Sequence, residues 1–282
     1  MSIANSGVLA NISLSVWTGR KLDREVSEEV DVAKSTKTRA GNYHKNLFAG
    51  VTELEQVKTV GGKIRNWHVK QTLPWADSGE RLLPMANFMD YKRELSVLET
   101  EFNTAVQNFC TKYGVLIAAQ AFQLGALFNR DEYPHPDVIA SKFNLSYTFS
   151  PVPDVGDWRV TADDAIKQEL ARQYEQAYAD RLNSVTKDLW DRLHGCLTHM
   201  QGRLSVSEDG KKTIFRDSML ENAAELCGLL TRLNVTNDPK LEHARKELEK
   251  TIMGLDAKDL RETDGARAEV KSRIDDILKF MD

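Results

Sequence analysis

The amino-acid sequence predicts a mainly α-helical protein built on a long antiparallel helical hairpin, with additional packed helices and a small β element. Two proline-free stretches of 43 residues each, 87–129 and 162–204, predict the hairpin. In both stretches large apolar residues recur at steps of mostly three and four, which places them on one side of an α-helix. The connector at 130–161 holds four of the seven prolines and interrupts the helical pattern.

The two apolar stripes are long enough to pair along most of their length. The first consists of Phe88, Tyr91, Leu95, Leu98, Phe102, Val106, Phe109, Tyr113, Leu116, Leu124 and Leu127. The second consists of Ile166, Leu170, Tyr174, Ala177, Leu182, Val185, Leu189, Leu193, Cys196, Met200 and Leu204. Isolated helices are marginal in water, so matched helices of this length favour coiled-coil-like packing against each other.

Shorter elements are predicted before the first long helix. Alternating apolar residues at 12–17 predict a short strand. A weak apolar stripe at 22–36 predicts an exposed helix, and 42–56 is predicted to form one or two further helices. Gly61-Gly62 predicts a turn, followed at 64–69 by a short strand or the end of a helix. The proline-containing stretch from Leu73 to Pro84 is predicted to be a loop.

Further elements are predicted in the connector and beyond the second long helix. The connector is expected to form a short helix at 137–143 and a strand at 144–150 with an antiparallel neighbour at 157–161. Three more helices are predicted, and they occupy 214–233, 240–253 and 264 to the end. Three segments follow from this order: a mixed α/β segment at 1–84, the hairpin at 85–204 and C-terminal helices at 205–282, together forming one continuous fold.

Composition limits the classes of function. The net charge of −4 means that any nucleic-acid affinity must come from a local patch. The N-terminus lacks the basic and apolar regions of a signal peptide. The apolar run Val115 to Ala119 is too short to span a membrane, and the three cysteines suit buried free thiols in a reducing compartment. We therefore expect a cytoplasmic protein without membrane contact.

One local patch is basic. The segment from Ala33 to Thr72 contains eight lysines and arginines and only two glutamates, which gives it a net charge of +6. Basic groups that neutralise phosphates beside rings that stack on bases are what single-stranded nucleic acid requires. The hypothetical nucleic-acid-binding residues are Lys58, Lys63, Arg65, Trp67 and Lys70. The alternative is a solvated helical face whose acidic partners lie opposite in space.

Catalytic and metal-binding signatures are weak. His194, Cys196 and His199 point in different directions on a helix, so they do not predict a metal site. Neither a phosphate-binding loop nor a nucleophile motif is present, and paired carboxylates such as Asp163-Asp164 suit a helix start. We expect no cofactor and no metal, and an enzyme would have to act without a recognisable motif.

Aromatic residues in rigid, proline-containing loops form a second candidate surface. The hypothetical interaction residues are Trp75, Tyr133, Trp158 and Arg159. This prediction follows because loops held by a rigid scaffold commonly carry binding residues. The alternative is that these side chains plug the ends of the helical hairpin.

Several short sequences resemble an uncharacterised family of phage and prophage proteins, a domain of unknown function. They are Trp17-Thr-Gly-Arg-Lys-Leu-Asp, Thr72-Leu-Pro-Trp-Ala-Asp-Ser-Gly, Leu124-Gly-Ala-Leu-Phe, Glu132-Tyr-Pro, and Pro151-Val-Pro-Asp followed by Asp157-Trp-Arg-Val. Members of that family can be encoded near a chelatase-type AAA+ ATPase and a metal-ion-dependent adhesion protein. The resemblance implies an adaptor in a remodelling complex of the host cytoplasm.

The leading functional hypothesis is therefore a non-enzymatic, oligomerising interaction protein of phage type, with a second copy or another protein as partner. The first alternative is a single-stranded nucleic-acid-binding protein in phage recombination or replication, based on the basic segment. The second is an enzyme without a recognisable motif. An exposed apolar strip along either long helix would favour the interaction protein.

Overall fold

The computed structural model describes residues 6–76, 79–153, 164–205 and 213–281. Within them the chain is mainly α-helical with a small antiparallel β element, as predicted. The predicted strand at 157–161 lies outside the described residues, and so do Trp158 and Arg159.

Two helices of 40 and 41 residues dominate the helical content, α3 at Met85–Leu124 and α5 at Asp164–Leu204. The helices before α5 are α1 at Arg24–Ala33, α2 at Thr52–Gln71, α3, and the short α4 at Pro136–Ile139. Those after it are α6 at Asp217–Leu233, α7 at Pro239–Ile252, α8 at Ala257–Glu262 and α9 at Asp264–Met281. The predicted long helices and the predicted C-terminal helices are thus present.

The β element has two parts, both antiparallel. One sheet has the strand order β4-β5-β1-β6, formed by Leu73–Pro74, Arg81–Pro84, Gly7–Ser15 and Asn144–Pro151. In it Gly7 pairs with Pro84 and Ala10 with Arg81. The other is a ribbon of β2 at Arg20–Asp23 and β3 at Tyr43–Asn46. The strand predicted at 144–150 is therefore confirmed, and part of the predicted loop between Leu73 and Pro84 forms β4 and β5.

The described residues form two compact units, each assembled from separated parts of the chain. Unit 1 draws on Met1–Asn11, Val69–Tyr91 and Thr148–Asp282, and unit 2 on Ile12–His68 and Lys92–Tyr147. Each unit thereby takes residues from more than one of the three segments distinguished in the sequence. The boundaries fall inside β1, α2, α3 and β6, so each of these four elements contributes residues to both units.

The core of unit 1 is formed mainly by α5 and the C-terminal helices. Helix α5 packs against α9, α6 and α7, and α9 also contacts α7 and α8. The second half of the predicted α5 stripe is buried in this core through Val185, Leu189, Leu193, Met200 and Leu204, whereas Leu197 is buried there in place of the predicted Cys196, which is only partly buried. The start of α7 follows the predicted signal, because the Asp238 side chain accepts hydrogen bonds from the backbone N–H groups of Lys240 and Leu241.

The core of unit 2 is aromatic and is centred on Phe48. This fully buried ring makes edge-to-face contacts with Trp17, Phe109 and Tyr133, with centroid distances of 5.3–5.8 Å. Helix α2 and the unit 2 part of α3 supply most of the other buried apolar side chains of this core. The stripes of α3 and α5 are therefore buried largely in different cores, and the predicted packing of one long helix along the other stays a prediction.

Two local predictions were wrong. The segment 42–56 is not one or two helices, because Tyr43–Asn46 is paired with β2 and only Thr52 onward is helical. Gly61-Gly62 is not a turn but lies in the middle of α2. The missing side chain of Gly61 explains its place there, since a Cβ would lie 3.0 Å from Cγ2 of Val16. The glycine lets the chain before β2 approach the helix.

The two glycines of α2 are expected to respond differently to substitution. A Cβ at Gly62 meets no atom within 4 Å, so Gly62→Ala should raise the free energy of unfolding by about 0.5–1 kcal/mol through helix propensity. Gly61→Val should lower it by about 1–3 kcal/mol because the larger side chain overlaps Val16. Urea denaturation of both variants measures the difference, and a Gly61→Val protein as stable as Gly62→Ala would contradict the packing.

Candidate interaction surface

From Leu95 onward helix α3 carries few charges, and these have partners inside unit 2, whereas the start of its unit 2 part carries Lys92, Arg93 and Glu94. From Leu95 to Asn129 the charged residues are Glu99, Glu101 and Lys112. The Tyr147 hydroxyl donates to Glu99 at 3.2 Å, Lys63 pairs with Glu101 at 2.6 Å and Lys112 pairs with Glu53 at 2.9 Å. The hydrogen bond from Lys112 also holds the pKa of Glu53 below its usual value.

The inner side of this part of α3 is buried. Its residues are Leu95, Leu98, Phe102, Ala105, Phe109, Tyr113, Ile117 and Gln120. They follow one another at steps of three and four, so they occupy a single side of the helix. This side closes the aromatic core of unit 2, and the residues on the opposite side therefore face solvent.

The solvent side of α3 carries the exposed charged residues Arg93 and Lys112, but one strip of it from Val97 to Phe122, called here the outer face of α3, has no charged residue. We define it by Val97, Thr100, Thr104, Gln107, Thr111, Gly114, Val115, Ala118 and Phe122, all exposed. Phe122 is 88% exposed, Val115 76% and Val97 56%. The solvent side of a helix is normally polar or charged. A strip about 38 Å long, at 1.5 Å per residue, with exposed large apolar side chains instead marks a contact surface.

The threonines make the outer face more apolar than its composition indicates. The hydroxyls of Thr100, Thr104 and Thr111 each donate to the backbone carbonyl four residues earlier, at 2.8–2.9 Å. Their polar hydrogens are used within the helix. What remains for a partner at these positions is largely the methyl group.

A groove lies beside the first half of the outer face. It has a volume of about 1090 Å³ and is lined by Gln56 of α2 and by α3 residues that include the charged Arg93 and Glu101 as well as Val97, Thr100 and Thr104. All of these residues belong to unit 2. Amphipathic helices bind with their apolar side in grooves on the surfaces of other proteins.

The five residues predicted to bind nucleic acid all lie on α2, and each has contacts. Lys58 pairs with Glu55 at 2.8 Å, Lys63 with Glu101, and Lys70 with Glu225 at 2.7 Å. Arg65 donates to the Leu14 carbonyl at 3.0 Å, and Trp67 packs on the core of unit 2.

These five residues do not form one uninterrupted basic face. Lys58 and Arg65 are seven residues apart and share a side of α2, whereas Lys63 is turned away from Lys58 by about 140°. Lys70 belongs to unit 1 and the other four residues to unit 2. Nucleic-acid binding through this set stays a prediction.

The loop residues predicted to form an interaction surface are buried where the structure describes them. Trp75 is 5% exposed and makes an edge-to-face contact with the ring of Tyr178. The guanidinium of Arg181 lies over the Trp75 ring. Tyr133 is 4% exposed, and its hydroxyl donates to the Leu47 carbonyl at 2.8 Å. The prediction of a surface role for Trp75 and Tyr133 was wrong, because burial of their large rings outweighs their position in loops.

The sequence also gave no indication of a buried ionic cluster around Lys45. Its Nζ lies 3.0 Å from Asp23 Oδ2 and 2.8 Å from Glu132 Oε2, and it donates to the Leu127 carbonyl at 3.0 Å. Burial opposes the charge, but the hydrogen bonds with Glu132 and Asp23 outweigh it and raise the pKa of Lys45. The ammonium therefore keeps its proton at neutral pH and is not a nucleophile.

This ionic cluster lines a cleft of about 1040 Å³. The cleft wall combines basic groups such as Lys21 and Arg130 with the acidic groups Glu25 and Glu29. Charges of both signs are balanced there, so the cleft does not favour a ligand of one charge.

The cysteine thiols are poor nucleophiles as well. Burial raises the pKa of Cys110, Cys196 and Cys227, for Cys227 to about 12. A thiol with a raised pKa is protonated at neutral pH. Among the described residues no group of three or more His, Cys, Asp or Glu side chains is arranged to hold a metal ion.

No family model, curated protein or solved structure matches the chain. The family resemblance noted from the sequence stays a prediction. In the part of the chain that the structure describes, none of the helices combines the length and apolarity needed to cross a bilayer.

The outer face of α3 is the site that sequence reasoning missed. The signal was present, because residues 113–129 contain no charged side chain. An uncharged run on a helix can be buried or exposed, and periodicity alone does not say which side faces the core.

Proposed function

We propose that the protein is a non-enzymatic interaction protein that binds a partner helix along the outer face of α3. The observation that supports this proposal most strongly is the uncharged strip of exposed α3 residues from Val97 to Phe122, which includes the large apolar side chains of Phe122 and Val115. Burying such side chains on binding is favourable by about 25 cal/mol per Å² of apolar surface. Leaving them in water has no stabilising effect on the free chain.

The polar sites favour this proposal over catalysis. The Lys45 ammonium is held by two carboxylates, and the three thiols have raised pKa values. Neither group has the lowered pKa that activates a lysine or cysteine. The AAA+ ATPase partner implied by the family resemblance remains a hypothesis about which protein binds.

Site-specific photocrosslinking tests the proposal. The photoreactive residue p-benzoylphenylalanine replaces Phe122 in one chain and Val32, which is 79% exposed on α1, in another. Under irradiation in the producing cells, position 122 should give discrete adducts, because a partner covers it, and position 32 should not. Mass spectrometry identifies the partner in each adduct.

A second substitution ties the adducts to the outer face. Val115→Glu, about two helical turns from Phe122, should abolish the adducts formed at position 122. Absence of adducts, or equal labelling at positions 32 and 122, would contradict the proposed function.

A further inference from the structure

The last turn of α3 carries part of the outer face but contributes no buried side chain. Phe122, which is 88% exposed, lies in this turn. The structure describes every residue from 121 to 132, and none of their side chains is buried. Earlier in α3 the inner side is fixed by buried side chains such as Phe109 and Ile117. The position of Phe122 therefore depends on contacts of another kind.

The chain leaves the helix directly after this turn. Helix α3 ends at Leu124, Gly125 has a φ of +53°, and Gly125–Leu127 forms one 3-10 turn. Helix ends fray when their last carbonyl groups have no donor. Here the Lys45 Nζ donates to the Leu127 carbonyl at 3.0 Å, from a strand 82 positions earlier in the chain. This hydrogen bond joins the turn to β3.

The Lys45 ammonium is held in one direction. Its Nζ lies 3.0 Å from Asp23 Oδ2 and 2.8 Å from Glu132 Oε2. An ammonium has three N–H donors, and the two carboxylates and the Leu127 carbonyl take one each. All four residues belong to unit 2. Because Lys45 is 6% exposed, its side chain cannot turn toward water without losing these contacts.

The other contacts near the turn are weaker. Gln120 Nε2 lies 3.4 Å from the Ala49 carbonyl oxygen, which is long for a hydrogen bond. The centroids of the Phe128 and Tyr133 rings are 5.4 Å apart, but Phe128 follows the turn and is only partly buried. A hydrogen bond from a charged donor is roughly twice as strong as one between neutral groups. The ammonium is thus the strongest anchor that the described residues give to this end of α3.

We infer that Lys45 is a positioning residue for the outer face, because its ammonium fixes the end of α3 that carries Phe122. The inference rests on the proposed function, which assigns the outer face to binding. It adds a residue outside that face whose charge orders one end of it. A partner that covers Phe122 then meets a preorganised surface, and less conformational entropy is lost on binding.

Hydrogen exchange followed by mass spectrometry tests this role without a partner. The triple variant Asp23→Asn/Lys45→Met/Glu132→Gln removes the donor to Leu127 and leaves no uncompensated charge in the cluster. Asparagine at position 23 can still cap α1. The amides of residues 121–128 should exchange about tenfold faster, or more, than in the wild-type chain. Those of residues 98–117 should keep their protection, because buried side chains hold that part of α3.

Two further variants control for charge and for stability. Lys112→Met removes an exposed ammonium of α3 that pairs with Glu53, and it should not change the exchange of residues 121–128. Gly61→Val destabilises unit 2 through α2, so it should speed exchange across the unit without favouring the end of α3. The single variant Lys45→Met should also speed exchange across unit 2, since it leaves two carboxylates uncompensated.

Photocrosslinking connects the anchor to binding. In the triple variant, adducts from p-benzoylphenylalanine at position 122 should fall severalfold, because the last turn of α3 is no longer held. Adducts from the same residue at position 97 should be largely retained. An equal fall at both positions would overturn the positioning role, since it would indicate loss of the whole contact.

The outcomes separate the two proposals. Unchanged exchange of residues 121–128 in the triple variant, or an equal change across residues 98–128, overturns the role of Lys45 and leaves the proposed function standing. Absence of adducts at position 122 in the otherwise wild-type chain overturns the proposed function. The exchange of residues 121–128 still decides in that case whether Lys45 anchors the end of α3.

Discussion

Replacing Arg267 with alanine is expected to lower the free energy of unfolding by about 3–5 kcal/mol. Arg267 is 3% exposed in the core of unit 1. Its guanidinium donates to the carbonyls of Leu204 at 2.8 Å, Thr213 at 2.9 Å and Leu260 at 3.3 Å, and to that of Arg203. Two of these carbonyls belong to the last turn of α5, where no helical N–H is available.

The size of the effect follows from what the substitution leaves behind. Hydrogen bonds from a charged donor contribute about 1.5–3 kcal/mol each, and a buried acceptor without a partner costs about 1–3 kcal/mol. Relaxation of the surrounding protein and water that enters the space left by the side chain recover part of the lost free energy of unfolding. Arg267→Lys should recover little, because a single ammonium cannot reach the carbonyls that the planar guanidinium reaches.

Chemical denaturation followed by circular dichroism measures this prediction. The control is Arg273→Ala on the same helix, where the side chain is exposed and pairs with Glu269. That surface pair should contribute about 0.2–1 kcal/mol at most. Equal losses for Arg267→Ala and Arg273→Ala would show that the buried guanidinium does not hold the end of α5.

Lys45→Met is expected to lower the free energy of unfolding of unit 2 by about 3–5 kcal/mol near neutral pH. Lys45 is 6% exposed, and its partner side chains Asp23 and Glu132 are 12% and 17% exposed. Without the ammonium, two nearly buried carboxylates face each other uncompensated. The control is Lys34→Met at an exposed position after α1, which should change stability by less than about 0.5 kcal/mol.

The cost of Lys45→Met should depend on pH. The hydrogen bonds from Lys45 and from the Val26 N–H lower the pKa of Asp23. A lowered pKa contributes stability above the unfolded value of about 3.9, and the contribution is lost as pH falls through the folded value. The raised pKa of Lys45 acts oppositely, with its contribution present below about pH 10.4 and lost above the folded value.

Denaturation of the wild-type and Lys45→Met proteins across pH measures this dependence. The difference between them should be constant from about pH 6 to 9 and should shrink as pH falls below about 4, because Asp23 no longer needs the ammonium once it is protonated. A difference that stays the same down to pH 3 would contradict the ionic role of Lys45 and indicate loss of packing alone.

The sequence by itself determined the elements whose cause is local. The spacing of apolar residues located α3 and α5 and the C-terminal helices, because a helix that buries one side must repeat every three or four residues. Alternation located β6, and Asp238-Pro239 located the start of α7, since capping acts within one turn. These signals lie within a few residues of the element that they predict.

The tertiary structure decided what depends on residues far apart in the chain. Gly61 fits inside α2 only because Val16 lies against it, and Lys45 meets Asp23 and Glu132, 22 and 87 positions away. Trp75 and Tyr133 lie beside prolines in segments that the sequence predicts to be loops, yet both side chains are buried. The outer face of α3 could be recognised only once its inner side was known to close the unit 2 core, because one helix sequence contains both sides and burial alone distinguishes them.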